Sequence, residues 1–116
     1  MKLDKDRITA EALALCNEVG LEGLTTRALA QRLGVKQPAL YWHFRDRRAL
    51  LDAMNEAMMA PFLSRPVPPD LGWQEQLFQM GYGMRQALLS CRDGALIHAG
   101  TRANRAMLED QVARLV

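Results

Sequence analysis

Residues 24–54 read LTTRALAQRLGVKQPALYWHFRDRRALLDAM, and this stretch decides the fold. Thr25 is a natural N-cap for a helix that Gly34 closes after barely two turns. Pro38 suits the first turn of the next helix, because the backbone N–H that proline lacks would have no partner there. That next helix, over about residues 37–43, is also short. Two short helices joined by a tight turn with a glycine predict a helix-turn-helix.

Helices are also predicted on both sides of this pair. The first helix is followed by Gly20, and its apolar residues recur at helical spacing at Ile8, Ala12, Leu15, Cys16 and Val19. Asp46 is placed to cap a fourth helix, which we expect to stop near Pro61 because proline cannot continue the hydrogen-bond ladder. The apolar face of this fourth helix consists of Leu50, Leu51, Met54 and Met58.

The remaining sequence predicts a second helical unit after a break. Residues 61–72 contain four prolines and are interpreted as an irregular connection. A fifth helix begins at Trp73 and is broken at residues 92–94, and a last helix is expected from about Ala103. The apolar stripe of the fifth helix comprises Trp73, Leu77, Met80, Met84, Ala87 and Leu88. Because no strand pattern or internal repeat is found, we expect an all-α chain.

The predicted organisation is a helix-turn-helix domain joined by a connecting helix to the beginning of a second, truncated helical domain. The expected boundaries are residues 1–46 for the first domain, 47–60 for the connecting helix, 61–72 for the proline-rich connection and 73–116 for the start of the core. Leu115 and Val116 are apolar and uncapped, so we expect the sequence to end inside an element.

Composition limits the class of protein. Apolar residues make up 49% of the 116-residue chain, which is enough to bury a core. No apolar run reaches the roughly 18–20 residues of a membrane span, and the N-terminus lacks the apolar core of a signal peptide, so we expect a cytoplasmic protein without a membrane partner. Cys16 and Cys91 stand singly, which predicts reduced core thiols and neither a zinc site nor a disulfide framework.

Positive charge is concentrated around the helix-turn-helix. The whole chain has a formal net charge of only +2. Between residues 25 and 48, only Asp46 is acidic. The basic side chains in the same segment are Arg27, Arg32, Lys36, Arg45, Arg47 and Arg48. A polyanionic partner fits this distribution, although an ordinary solvated face would carry the same charge.

The third helix is expected to leave only Leu40 and Phe44 pointing inward. Its outer side then carries Gln37, Pro38, Ala39, Tyr41, Trp42 and His43. An exposed aromatic run is costly for solubility and is better explained as a contact surface. Glutamine can bond an adenine edge, small apolar groups can pack on a thymine methyl, and aromatic or histidine donors can reach phosphates. The alternative is that Tyr41 or Trp42 is half-buried against the fourth helix.

Residues at two helix N-termini extend this surface. Thr26 and Arg27 lie in the first turn of the second helix, where free N–H groups and the helix dipole favour a phosphate. Arg27 can instead form an ion pair with Glu22. Arg47 and Arg48 begin the fourth helix, which is an unfavourable place for cations unless a phosphate lies nearby.

The segment quoted above resembles the DNA-binding domain of TetR-family repressors, and specifically that of the tetracycline repressors. The match resumes after the prolines in WQEQL, ALLSCRDGA and IHAGTR, which resemble the start of that family's ligand-binding core. The resemblance implies a homodimer, built by C-terminal helices, that holds two recognition helices on a palindromic double-stranded DNA operator. A small-molecule effector would move these helices apart and release the DNA.

Matching the positions implies roles in DNA contact. The implied roles are base reading for Arg27 and Gln37, thymine or sugar contacts for Pro38, Ala39 and Tyr41, and phosphate contacts for Thr26, Trp42, His43 and Arg47. The tetracycline repressors commonly carry threonine at the position of Ala39, so we expect a different operator preference.

The resemblance also implies an effector site in the core. His98 matches the histidine that binds the magnesium of a drug–metal chelate, and Thr101 and Arg102 match the neighbouring effector-sensing turn. No cofactor is expected beyond Mg²⁺ carried with the effector. In the tetracycline repressors, a histidine, an asparagine and a phenylalanine surround the drug. The matching positions in this sequence are Leu63, Met80 and Met84. Because these changes remove polar groups, we expect a more apolar effector, the alternative being that the methionines are plain core.

Other functions have less support in the sequence. A non-specific DNA binder would share the basic charge, and a protein-interaction module would share the exposed aromatic residues. An enzyme is not expected, because the chain has no GxSxG, Walker loop or HExxH motif, and His43 and His98 lack an obvious paired nucleophile or carboxylate.

Overall fold

A computed structural model of the chain describes residues 2–66 and 68–101, together with Ala113. Every regular element in this described part is helical, and no strand occurs in it, which confirms the all-α prediction. The elements are α1 Lys5–Gly23, α2 Thr26–Leu33, α3 Gln37–Tyr41, α4 Arg47–Leu63, α5 Trp73–Leu89 and α6 Gly94–Ala99. The last predicted helix, from about Ala103, lies outside the described residues.

The ends of the short helices are fixed by the residues that the sequence singles out. The side chain of Thr25 accepts a hydrogen bond of 3.0 Å from the backbone N–H of Ala28 and so caps α2. Gly34 closes α2 in the left-handed conformation, with φ of 70°. Pro38 lies in the first turn of α3, and Asp46 caps α4 by accepting from the N–H of Ala49 at 2.8 Å. These local predictions are confirmed.

The first helix differs in part from its prediction. Gly20 does interrupt it, with φ of 79° and ψ of 171°, but a further helical turn follows and α1 extends to Gly23. Val19, directly before this kink, is 44% exposed, although the periodicity placed it on the buried face.

The fourth helix passes through Pro61 and ends at Leu63, so the prediction that it stops near Pro61 is short by a few residues. Proline removes one N–H donor, but its exposed position near the helix end leaves the last turn able to close. The N–H of Ser64 donates to the carbonyl of Ala60 at 3.1 Å. The helical link between the two parts of the chain is thus longer than expected.

Two buried clusters hold the helices together. The first joins the helix-turn-helix to α4 and α6, and consists of Ile8, Ala12, Leu15, Cys16, Leu24, Leu29, Ala30, Leu33, Leu40, Phe44, Met54 and Ile97. The second lies between α4 and α5 and contains Met58, Met59 and Ala87. Because Ile97 of α6 is buried among residues of α1–α4, the two predicted domains share a core. None of the described helices is long and apolar enough to cross a membrane.

An ion-pair clamp sets α2 against α1. Arg32 donates through Nε to Glu11 and through Nη1 to Glu18, each at 2.7 Å. These hydrogen bonds raise the pKa of Arg32 further above its already high value, so its charge is permanent. Arg32 is therefore occupied within the fold, although the charge count included it in the basic segment.

Two glycines give a matched test of the packing around α6. At Gly94 an added Cβ would overlap the backbone carbonyl of Leu88 and lie 3.1 Å from the sulfur of Met58, whereas at Gly81 of α5 it would meet nothing within 4 Å. We expect Gly94→Ala to lower the free energy of unfolding by about 1–3 kcal/mol. Gly81→Ala should raise it by about 0.5–1 kcal/mol, because alanine loses less backbone entropy in a helix. Urea unfolding of both variants tests this, and equal effects would contradict the described packing.

Candidate nucleic-acid interface and effector pocket

The third helix turns its polar and aromatic side to solvent. Leu40 and Phe44 are buried, at 5% and 8% exposure, and fasten the helix to the core. Tyr41 is 56% exposed and Trp42 is 88% exposed, so neither is half-buried against α4. Of the other residues predicted on this face, Gln37 and Pro38 are exposed, and Ala39 and His43 are partly exposed. One continuous surface therefore presents a glutamine amide, small apolar groups and aromatic donors.

The start of α2 adds a polar N-terminus to the helix-turn-helix. Thr26 is partly exposed and Arg27 is exposed. The cap at Thr25 satisfies the N–H of Ala28, and the first N–H groups of a helix have no partner within it. The ion pairs found in the described part of the chain do not include one between Arg27 and Glu22. Arg27 is thus available to an external anion or base.

The Arg47 side chain binds backbone carbonyls within the fold. Its guanidinium donates through Nη2 to the carbonyl of Leu21 at 3.0 Å and through Nη1 to the carbonyl of Leu24. The side chain therefore fastens the end of α1 to the start of α4. The predicted phosphate contact of Arg47 stays a prediction, and any such contact uses the donors that face solvent. Its neighbour Arg48 is exposed.

A groove of about 450 Å³ lies between the end of α4, the proline-rich connection and α5. Two of the predicted effector residues, Leu63 and Met80, line it. Its other lining residues are Phe62, Arg65, Pro66, Pro68, Leu71, Glu75, Gln79, Tyr82, Gly83 and Gln86. Arg65 lies over the Phe62 ring at 5.1 Å and donates to Gln86 at 3.0 Å, so its cation borders the groove.

The other predicted effector residues lie elsewhere. Met84 does not line the groove and packs against the cluster of Met58, Met59 and Ala87. On α6, His98 is partly buried and its Nδ1 lies 2.9 Å from Oδ1 of Asn55 on α4. Thr101 donates from its hydroxyl to the carbonyl of His98 at 2.8 Å. Arg102 lies outside the described residues.

The donor set around His98 does not make a metal site by itself. No group of three or more His, Cys, Asp or Glu side chains suited to a metal ion occurs in residues 2–66 and 68–101. A hard cation such as Mg²⁺ prefers several oxygen ligands in octahedral geometry. Among the described residues, His98 is therefore not part of a ready-made set of metal ligands.

A polar contact between the two parts of the chain was not found by sequence reasoning. We name it the interdomain seam; it is formed by Asn17, Glu18 and Leu21 of α1 and by Arg92 and Asp93 of the turn between α5 and α6. The N–H of Leu21 donates to Asp93 Oδ2 at 2.9 Å. Arg92 donates through its backbone N–H to Asn17 Oδ1 at 2.7 Å and through Nη1 to the carbonyl of Glu18 at 3.0 Å. Because the hydrogen-bond partners are far apart in sequence, no local sequence pattern predicts these contacts.

The fold and this surface agree with the comparisons to known proteins. Residues 8–54 match the family model of bacterial regulatory proteins of the TetR family, and residues 65–115 match that of the tetracyclin repressor-like C-terminal domain. The chain belongs to the TetR family. It is 54% identical over 115 residues to the class A tetracycline repressor protein from transposon 1721 of Escherichia coli, covering 98% of the chain and 53% of that relative. The chain thus spans about half the length of the curated relatives it matches.

Solved TetR-family structures have the same arrangement of helices. A TetR variant from Acinetobacter baumannii AYE in complex with minocycline is 53% identical, with a TM-score of 0.84, over 93% of this chain and 61% of that one. BioQ, crystallised with its natural double-stranded DNA operator, is 33% identical, with a TM-score of 0.85, over 98% of this chain and 68% of that one.

Arg47 and Arg48, adjacent at the start of α4, allow a structural role of an arginine to be tested against a neighbouring control. Arg47→Ala leaves the carbonyls of Leu21 and Leu24 without a charged donor, and we expect it to lower the free energy of unfolding by about 1 kcal/mol or more. Arg48→Ala should change that free energy by less than about 0.5 kcal/mol, because this exposed side chain makes none of the hydrogen bonds that Arg47 makes to Leu21 and Leu24. Equal stability of the two variants in urea would contradict the assignment.

Proposed function

We propose that this chain contains the operator-reading part of a TetR-family transcriptional repressor that a small-molecule effector releases from DNA. The observation that carries the proposal is the exposure of Tyr41 and Trp42 at the end of α3, where Leu40 and Phe44 are buried. Such a helix, backed by two others, is the element that enters the major groove in helix-turn-helix proteins. The operator-bound structure of BioQ supports the same use of the fold.

Each exposed side chain has a role suited to its chemistry. Arg27 and Gln37 read base edges, since guanidinium suits guanine and a primary amide suits adenine. Pro38, Ala39 and Tyr41 pack against thymine methyl groups or sugars. The phosphate contacts come from Thr26, Trp42, His43 and Arg47, and they position the helix without reading sequence.

The complete protein is proposed to act as a homodimer in the cytoplasm, without an enzymatic step. Two recognition helices about 34–36 Å apart enter successive major grooves of a palindromic operator. An effector that binds more tightly to a dimer whose recognition helices do not have this spacing shifts the population away from DNA. The interdomain seam and α4 connect the effector groove to the helix-turn-helix. Leu21 is central to this path, because its N–H is bound by Asp93 and its carbonyl by Arg47.

The proposed effector is a mainly apolar molecule that occupies the groove lined by Leu63 and Met80. The resemblance to the tetracycline repressors implies that both residues stand at positions where that family carries polar side chains. A ligand that needs those polar partners would leave its own polar groups unpaired in this groove. No cofactor is required, and Mg²⁺ would enter only with an effector that supplies most of its ligands, with His98 adding one.

Trp42 and Trp73 form a matched pair for testing the DNA surface. Both are largely exposed, at 88% and 65%, but Trp42 follows α3 and Trp73 begins α5. We expect Trp42→Ala to weaken binding to DNA about fivefold, as for one lost hydrogen bond of about 1 kcal/mol. Trp73→Ala should leave DNA affinity unchanged, and both variants should unfold at nearly the wild-type urea concentration.

Fluorescence anisotropy with a duplex selected from a random pool measures this difference. Equal affinities of the Trp42→Ala and Trp73→Ala variants would remove the third helix from the DNA interface. A protein-interaction module would be indicated instead if operator DNA failed to compete with a protein partner for Trp42.

Calorimetry with magnesium-tetracycline tests the effector class. We expect weak or no heat of binding, because Leu63 and Met80 give no hydrogen-bond partners to the drug and Met84 belongs to the core cluster. The Leu63→His/Met80→Asn double variant restores polar groups at both positions and should bind more tightly than the wild type. Tight binding by the unmodified protein would contradict an apolar effector.

A further inference from the structure

The two cysteines lie on opposite sides of the interdomain seam. Cys16 belongs to α1 and is fully buried, while Cys91 lies in the turn after α5 and is partly exposed. The Cys16 thiol donates to the carbonyl of Arg92 at 3.5 Å, and Arg92 is the residue that directly follows Cys91. The same turn is bound to α1 by the seam hydrogen bonds of Asn17 and Leu21. The backbone next to Cys91 is thus held against the Cys16 side chain.

The surroundings give the two thiols different reactivity. Burial raises the pKa of Cys16, and the negative charges of Asp93 and of a Cys91 thiolate raise it further. Cys16 therefore stays a thiol near neutral pH. Cys91 is partly exposed, and its sulfur lies 3.8 Å from the Ser90 hydroxyl oxygen, which donates to the carbonyl of Ala87 at 2.6 Å. Cys91 is the group that an oxidant reaches first.

Binding of a metal ion does not explain this pair. The described part of the chain contains no group of three or more His, Cys, Asp or Glu side chains suited to a metal. The two thiols alone fall short of the four ligands of a structural zinc site.

We propose that Cys16 and Cys91 form a reversible disulfide that locks α1 to the turn between α5 and α6 when the protein meets a peroxide. The Cys91 sulfur attacks one peroxide oxygen, the O–O bond breaks, and a sulfenic acid and one water form. The Cys16 sulfur then attacks the sulfenic sulfur, the S–O bond breaks, and the hydroxyl leaves as water with the Cys16 proton. One peroxide is reduced to two waters as two thiols become one disulfide.

The disulfide would act on the seam that is proposed to transmit the effector signal, so this regulatory role depends on the proposed function. Formation of the bond turns Cys91 from the Met58 and Met59 cluster toward α1. The cross-link then holds the seam hydrogen bonds in place, because their two sides can no longer separate. A small thiol or a dithiol reductant reverses the bond by exchange.

The test treats the whole chain with hydrogen peroxide and then alkylates the remaining thiols. We expect the intact mass to fall by about 2 Da, with neither cysteine alkylated, and dithiothreitol to restore both thiols. Hydrogen exchange at the Leu21 amide should slow on oxidation, because the cross-link suppresses opening of the seam. The Cys91→Ser variant should keep the fold and show neither change, since Cys91 is partly exposed.

Three results would overturn the proposal. In the first, Cys91 proceeds to a sulfinic acid while Cys16 stays free. In the second, the cross-link joins two chains, as a dimer on a non-reducing gel. In the third, the disulfide forms but exchange at Leu21 is unchanged. All these readouts are independent of DNA and effector, so failure of the disulfide is distinguishable from failure of the proposed repressor function.

Discussion

The burial of Leu40 and Phe44 is the constraint on which the molecule depends. A helix of five residues has no stability of its own, because too few hydrogen bonds offset the cost of nucleation. These two side chains anchor α3 to the core formed by α1, α2 and α4. Once they point inward, the helical period forces the remaining residues of the segment outward. The exposed Trp42 is therefore a consequence of how α3 is held and the basis of what it can contact.

The connection between the two parts of the chain also depends on a small number of contacts. One residue, Leu21, is bound through its backbone N–H to Asp93 and through its backbone carbonyl to Arg47. It follows the kink at Gly20, where the backbone leaves the regular helix and exposes these groups. A movement of the turn between α5 and α6 must therefore move or break a contact on the helix-turn-helix side. Such coupling needs no large displacement, because packed cores are not continuously deformable.

Local features were predictable from the sequence, and contacts between distant residues were not. The caps at Thr25 and Asp46 depend on residues within one turn, so a short window contains the whole cause. The pairing of Arg32 with Glu11 and Glu18 and the seam hydrogen bonds depend on the tertiary fold, and no periodicity encodes them. For the same reason, the residues expected to form one effector site lie in three different surroundings. Leu63 and Met80 line the groove, Met84 packs in the second cluster, and His98 lies beside Asn55.

The exposed surface of the helix-turn-helix is proposed to read base sequence. The most direct measurement compares wild type and Arg27→Ala on the DNA sequence that the protein selects from a random pool and on unselected DNA, each at two salt concentrations. We expect Arg27→Ala to lose about 1–3 kcal/mol of binding free energy on the selected sequence and much less on unselected DNA. Equal losses on both, or no enrichment of any sequence, would contradict it.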